Sequence, residues 1–530
     1  LFTLLTFLLL FPIFMSCAKP AMSVPLSTDS RFFVDQHGHR VKLACVNWAS
    51  HLETMVAEGL SKQPMDTISA KIASMGFNCV RFTYATFMLT NTTLGNLTVE
   101  QSFLNNNLNE SLAGIKALNP SILHLPVIEV FKRVVASMGR HNVMVILDNH
   151  ISKPGWCCSL TDGNGFFGDE FFDPDVWQEG LVRMATMFKG VPNVVGMSLR
   201  NEPRGDRQDV ELWFKYFERA AEAVHKANPD VLILLSGLDY AIDLTFLRNR
   251  SLNLSFDRKL GFEFHRYGFT KQNDWKGSNP NQMCGQVVNE LKNTSLFMLD
   301  KGYPLFVSEF GADLRGNNEN DNRFLNCFLG VMAEYDMDFA LWTLFGSYYL
   351  RQGNYGIDEV YAVLNWNWCG LRNATYSARY SSIQPRFQVP GLPEAYKHKI
   401  IYHPQTGLCV LRNSLSMDDP LVLGPCNESE AWSYNTQNIL SLKESYMCLQ
   451  AKALGEPARL GEVCKDPSSK WKMISDSKMH LWSEGRDGSS VCLDVDSSNT
   501  IVTNDCKCLA DETDCDPASQ WFKLVDRNKF

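Results

Sequence analysis

Between about residues 31 and 345 the chain switches eight times between a short β-rich run and a longer, more polar stretch. The β-like runs fall at 41–48, 78–84, 143–150, 194–201, 231–236, 261–267, 305–310 and 339–344. Amphipathic stretches lie between them at 65–75, 128–139, 176–189, 210–227, 285–301 and 323–335. Asp66 and Asp175 stand where N-caps or first-turn acids are expected. Eight such alternations predict an α/β chain folded as a (β/α)8 TIM barrel over residues 30–376. Ahead of the first strand, residues 32–35 and 39–41 flank a turn at Gly38, a hairpin pattern that would close the barrel floor.

After a segment at 377–394 rich in Ser, Pro and Gln, read as a linker, the period changes. Residues 395–530 carry three similar stretches, each opening with Cys and an apolar residue: Cys409-Val410, Cys448-Leu449 and Cys492-Leu493. A second Cys follows at 426, 464 and 506, then Trp432, Trp471 and Trp521. One such unit cannot bury its apolar face alone, so three predict an all-β module with internal repeats. The pattern resembles the ricin B-type β-trefoil.

Residues 1–14 are almost wholly apolar and Ser16-Cys17-Ala18 follows, which predicts a signal peptide over 1–18 that lacks its basic start. The run is shorter than the roughly 20 residues a membrane span needs, and no later segment is apolar enough to span. Sixteen cysteines suit an oxidising compartment. Sequons at Asn91, Asn96, Asn109, Asn249, Asn253, Asn293, Asn373 and Asn427 point to a glycosylated surface, with three of them in the loop 91–111. The expected setting is extracellular, of the cell-wall or apoplast kind. A net charge of −8 argues against a nucleic-acid partner.

In a barrel of this kind the reactive side chains sit at the C-terminal ends of the strands. Those ends carry Arg81, Asn149, His150, Asn201, Glu202, His265, Tyr267, Glu309 and Trp342, out of keeping with the apolar strand bodies. Glu202 and Glu309 are more than a hundred residues apart, yet the ends of strands four and seven can face each other across the mouth. Two facing carboxylates in a polar, aromatic-lined cleft suit glycoside hydrolysis, one protonated as acid and one ionised. Arg81 could keep Glu309 ionised, with Tyr267 donating to it, while Glu202 retains its proton.

The set Arg81, His150, Asn201-Glu202-Pro203, His265-x-Tyr267, Glu309 and Trp342 resembles glycoside hydrolase family 5 in order and strand placement. The resemblance implies a retaining enzyme with Glu202 as acid/base and Glu309 as nucleophile. It implies that Asn201 holds the sugar 2-hydroxyl, that Arg81 and Tyr267 orient Glu309, and that His150 and His265 line the reacting subsite. Trp342 would be the stacking floor and Asn149 a further contact. The expected substrate is a β-linked polysaccharide or oligosaccharide, with no cofactor and no metal, and an endo-β-glucanase is the reading by resemblance. β-Mannanase or β-1,3-glucanase action and transglycosylation use the same set and stay open, as do a carbohydrate-binding protein and a structural wall protein.

Seven cysteines in the barrel region are an odd number, so at least one is unpaired or bonded elsewhere. The adjacent Cys157 and Cys158 either form a vicinal disulfide stiffening a substrate-facing loop or pair elsewhere. Cys409–Cys426 and Cys448–Cys464 are natural within-repeat bridges, whereas Cys506, Cys508 and Cys515 leave the third repeat ambiguous. Ricin-type lectins carry Gln-x-Trp, but here Glu430, Ser469 and Ser519 precede each Trp by two. The sugar-holding Asp appears only as Asp494, against Leu411 and Gln450. These departures favour a scaffold over glycan binding by the trefoil. Trp48, Trp156, Phe166, Phe167, Tyr348, Tyr349 and Trp366 fall in or near loops, where stacking on sugar and packing are equal readings.

Overall fold

Eight parallel strands close on themselves. They are β1 (Ala44–Trp48), β2 (Cys79–Ala85), β3 (Met144–Ile151), β4 (Val194–Ser198), β5 (Leu232–Ser236), β6 (Leu260–Tyr267), β7 (Leu305–Gly311) and β8 (Asp338–Leu341). The register of β8 on β1 completes the ring. This computed structural model describes residues 24–393, 397–414, 416–417 and 419–528. The segment 1–18 read as a signal peptide lies outside the described residues, as do 394–396 where the second domain was expected to begin.

Strand alternation sorts the side chains into two layers. Cys45, Cys79, Met144, Ile146, Val195, Leu232, Leu234, Phe306 and Ala340 point inward and pack with Leu26, Phe33 and Leu43 at the floor. The opposite faces pack beneath the helices α1 (Met65–Ser74), α2 (Val127–Arg140), α3 (Pro174–Met187), α4 (Val210–Ala227), α5 (Pro280–Leu291) and α6 (Glu319–Glu334). Asp66 and Asp175 both lie in first turns, and the cap of α3 is Asp173, whose side chain accepts from the Asp175 and Val176 amides.

The hairpin at Gly38 forms as read, the Asp35 amide donating to the His39 carbonyl and the Val41 amide to the Phe33 carbonyl (both 2.9 Å), and its strand Phe32–Val34 also pairs with Ser27–Asp29. Other local readings are corrected. Residues 87–118, read partly as a loop, hold four short helices, one closed by a Thr98–Gln101 capping box. The segment expected as linker opens inside a helix, α7 (Ala374–Ser382). Beyond α7 the chain is strapped to the barrel, with the Phe387 and Gln388 amides donating to the buried Asp336 carboxylate (3.0 and 2.8 Å). Gln384 and Gln388 here bond to Met75 and Asp336 of the barrel, which composition alone does not separate from a free linker.

Beyond residue 397 the chain is all β, with its own core around Trp432, Leu440, Leu449, Trp471, Leu493 and Phe522. Its twelve described strands come as three sets of four, and the middle pair of each set is an antiparallel hairpin. A disulfide sits in each repeat, Cys409–Cys426, Cys448–Cys464 and Cys492–Cys506, and Cys508–Cys515 closes the extra loop. In the barrel Cys45–Cys79, Cys157–Cys158 and Cys284–Cys327 pair, leaving Cys369 free and exposed.

This domain docks on α5 and α6. Trp521 turns away from its own core: its Nε1 donates to Asn281 Oδ1 (2.9 Å), which also accepts from Ser477 Oγ (2.8 Å). Asn279 Nδ2 donates to the carbonyls of Ala510 and Glu512 (both 2.9 Å). Arg323 reaches the Thr513 and Cys515 carbonyls. All three barrel residues are buried, so these groups must pair with the second domain to be satisfied.

Candidate active site

The site begins with a charge where a barrel interior is normally apolar. Arg81 on β2 points inward and is fully buried. Its Nη1 donates to Glu309 Oε1 (2.9 Å) and Asn47 Oδ1 (3.1 Å), and its Nη2 to Asp148 Oδ1 (2.9 Å) and Asn201 Oδ1 (2.8 Å). Arg81 does not line the cleft; it acts through Glu309 and Asn201. Burial disfavours its charge, but Asp148, Glu263 and Glu309 outweigh that and hold its pKa up.

Strict alternation would turn Glu309 outward. Phe306 faces the barrel interior and Val307 the helix layer, so Glu309 shares the parity of Val307. A register shift against β6 re-aims it: Phe264 pairs with Val307, but His265 pairs with Glu309. The same shift brings His265 Nδ1 to 3.7 Å from Glu309 Oε2 and 2.7 Å from Glu202 Oε1. One donor atom from each of Glu202, His265 and Glu309 lies within 4.8 Å of the others. Tyr267 Oη donates to Glu309 Oε2 (2.9 Å). After Glu309-Phe310, Gly311 leaves room for the Trp342 carbonyl, which would lie 2.3 Å from any Cβ there.

Glu202 follows β4 and Glu309 ends β7, and both open into a cavity of about 690 Å³ also lined by His150, Asn201, His265, Tyr267 and Trp342. Burial lifts both carboxyls to about 7, with His265 and then Arg81 pulling Glu309 the other way. The two titrate as a coupled pair, and the donors on Glu309 favour charge there. Burial pushes His265 down to about 4, so its imidazole is neutral. His150 Nδ1 sits 2.6 Å from Asp148 Oδ2, and its ring stacks on those of His51 and Trp342, parallel to Trp342 within 16°.

Asn149, like Arg81, was expected to touch substrate and does not. It alternates to the outer face of β3, where Nδ2 donates to Thr86 (2.9 Å) and Oδ1 accepts from Arg200 (3.2 Å), so it does not line the cleft. Of the loop aromatics, Trp156 lines the cleft and Trp366 is exposed, whereas Trp48, Phe166, Phe167, Tyr348 and Tyr349 are buried. Asp148, Glu263 and Asn47 were missed. Their signal was present: each sits two residues before, or in register with, a selected polar residue on the inward face. Glu263 accepts from the Ser198 hydroxyl, and burial raises it to about 7. Phe269, exposed at the rim, stacks on Tyr267 with centroids 4.9 Å apart.

Among the described residues, two donor sets have metal-like spacing, Glu202–His265–Glu309 and His150–Cys157–Cys158. In the first, Arg81 and Tyr267 already occupy both oxygens of Glu309. In the second, both sulfurs are tied in a disulfide and offer no thiolate.

A closed parallel barrel with paired carboxylates at the ends of its fourth and seventh strands defines the class, and the comparisons agree. The cellulase family (glycosyl hydrolase family 5) matches residues 34–347. A glycosyl hydrolase 5 family protein of Chamaecyparis obtusa is 42% identical over 531 residues, covering 97% of this chain and 95% of that one. The chain therefore belongs to glycosyl hydrolase family 5. An endoglucanase of Paenibacillus polymyxa is 22% identical over 341 residues, 60% of this chain and 79% of that one. Two solved structures share the barrel. A cellotetraose complex of a Pyrococcus horikoshii endocellulase has a TM-score of 0.56 at 17% identity, over 69% of this chain and 99% of that one. The catalytic domain of the major endoglucanase from Xanthomonas campestris pv. campestris has a TM-score of 0.55 at 20% identity, over 68% and 99%.

Proposed function

We propose that this protein is a secreted, retaining endo-β-glucanase of the cellulase type. Glu309 attacks the anomeric carbon while Glu202 protonates the departing oxygen; Glu202 then takes a proton from the water that hydrolyses the glycosyl-enzyme. The carrying observation is the carboxylate pair, whose oxygens lie within 4.8 Å of each other. That closeness suits direct attack, for which about 5–5.5 Å between carboxyls is usual. Asn201, with its Oδ1 held by Arg81, has Nδ2 left to donate to the 2-hydroxyl. His150 and His265 line the reacting subsite, and Trp342 forms its floor. Trp156, Trp342 and the stacked pair Tyr267–Phe269 come from three different strand ends, so neighbouring sugar rings find separate aromatic faces along the cleft, which suits internal cleavage. The endoglucanase and endocellulase relatives support the glucan reading.

Azide separates the two roles. With a β-glycoside bearing a good leaving group, Glu309→Ala plus azide should give the α-glycosyl azide, and Glu202→Ala plus azide the β-anomer. The same anomer from both, or near-normal hydrolysis by Glu309→Ala, overturns the assignment.

The second domain is read as a ricin B-type β-trefoil following a barrel at 30–376, and its three sets of four strands support this. A scaffold role is favoured over sugar binding, because the polar groups at the expected sugar positions are spent internally. Asp494 accepts from Asn504 and Gln520 (both 3.1 Å), Gln450 donates to Ser469 (3.0 Å) and Arg412 pairs with Glu430 (2.7 Å). Seven disulfides among the described residues support an oxidising compartment. Seven of the eight sequon asparagines are exposed, which supports glycosylation; Asn373 is half-buried. Among the described residues, no helix is long and apolar enough to cross a membrane.

A further inference from the structure

We propose that the Cys157–Cys158 disulfide is a specificity wall beside the 2-position of the reacting sugar, admitting a bare 2-hydroxyl and excluding larger 2-substituents. The inference rests on the retaining β-glycosidase reading and adds the substrate class to it. Both cysteines line the cleft together with His150, Asn201 and Glu202. Asn201 Nδ2 is the group turned towards them: Cys158 Sγ lies 3.6 Å away, Cys157 Sγ 3.9 Å and His150 Nε2 3.4 Å. Disulfide sulfurs are weak acceptors, so a sugar hydroxyl is the stronger partner for that N–H. A disulfide carries no S–H and no charge, so the wall presents polarisable, apolar surface and fills the volume beside the amide. A hydroxyl needs only the amide's own reach, whereas an acetamido group needs the space the sulfurs hold.

The wall is fixed by the segment that places Asn201. Cys157 packs on Ala85 and Ile151 at the ends of β2 and β3. Arg200 Nη1 donates to Ser152 Oγ (3.1 Å), and Arg204 Nε donates to the Ser159 carbonyl (3.0 Å). Asn164 Oδ1 accepts from the Ser152 and Lys153 amides (3.1 and 3.0 Å). The two arginines flank Asn201-Glu202 in sequence, so one stretch of chain sets both the amide and the loop that carries the sulfurs.

The test measures binding of β-1,4-linked glucose oligomers and their 2-acetamido counterparts by calorimetry in a Glu309→Gln background, with and without Cys157→Ala/Cys158→Ala. With the disulfide intact, the plain oligomer should bind and the acetamido oligomer should be disfavoured. Removing the sulfurs should lower the ratio of the two dissociation constants by about tenfold or more, the scale of a pocket gaining a few atoms of room. An unchanged ratio overturns the proposal. Equal binding of both oligomers with the disulfide intact overturns it as well, whether or not the double variant folds. If neither oligomer binds, the proposal falls. Failure of the wild-type enzyme to hydrolyse β-glucan, with the binding ratio as expected, overturns the catalytic reading alone.

Discussion

The barrel and the C-terminal domain both bury polar groups, but they finish them differently. In the barrel, Arg81, Asp148, Glu263 and Glu309 share too few partners for their charges, and the remainder opens into the cleft through Glu309, Glu202 and Asn201. In the C-terminal domain, Asp494, Asn504 and Gln520 satisfy one another, and the interface groups Asn279, Asn281 and Arg323 are consumed by carbonyls and by Trp521. The contrast separates a site with bonding capacity to spare from a domain whose polar groups are spent. Buried polarity becomes chemistry only where bonding capacity is left over and aimed at a cavity.

Substitutions that change this accounting should follow that order. Arg81→Met leaves Asp148 and Glu309 as buried carboxylates without their cation. It should cost about 3–5 kcal/mol of stability, the usual penalty for breaking a buried pair, and nearly abolish turnover. Chemical denaturation checks the first effect, and a loss below about 1 kcal/mol, the range of an exposed pair, would remove the charge from the barrel side of the comparison.

Tyr267→Phe should act next most strongly, on the pH profile. The phenol donates to ionised Glu309, so its loss raises that carboxyl further above its burial-shifted value of about 7. With Glu309 as the proposed nucleophile, a raised pKa leaves it protonated over more of the acid range. The acid limb of kcat/KM should therefore move to higher pH, with activity falling more at pH 5 than at pH 8. A limb that stays in place, or moves down, contradicts the bonding assigned to Glu309.

Asn281→Ala strips the domain interface of an acceptor for Trp521 and Ser477 and should cost about 1–3 kcal/mol of stability with kcat unchanged. A fall in kcat at full folding would show that the second domain shapes the cleft. Lys523→Met removes a partly exposed pair with Glu334 at 2.7 Å and should change the unfolding free energy by no more than about 1 kcal/mol.

Much of this was legible from local pattern. All eight strands lie where β-like runs are read, because alternation and apolar content are written within a few residues. Glu202, Glu309, His150, His265, Tyr267 and Trp342 were legible as strand-end residues, and they meet in one cavity. Asn149 was misplaced because strand parity, which separates it from His150, was not applied. Asp148 and Glu263 went unread because the same strand parity, which sets them two residues before His150 and His265 on the inward face with Arg81, was not followed down the strand.

The chain by itself determined the eightfold repeat, the floor turn at Gly38, the polar strand ends and the three cysteine units, all of which rest on spacing within a few dozen residues. The tertiary structure decided the bulge that turns Glu309 inward, the choice of Cys157 to pair with Cys158, and the rotation of Trp521 from its own core onto α5. Each of those depends on what a distant segment presents across a gap of a few ångströms. Burial makes an unpaired donor, acceptor or charge too costly to leave, so the partner rather than the local sequence settles the geometry.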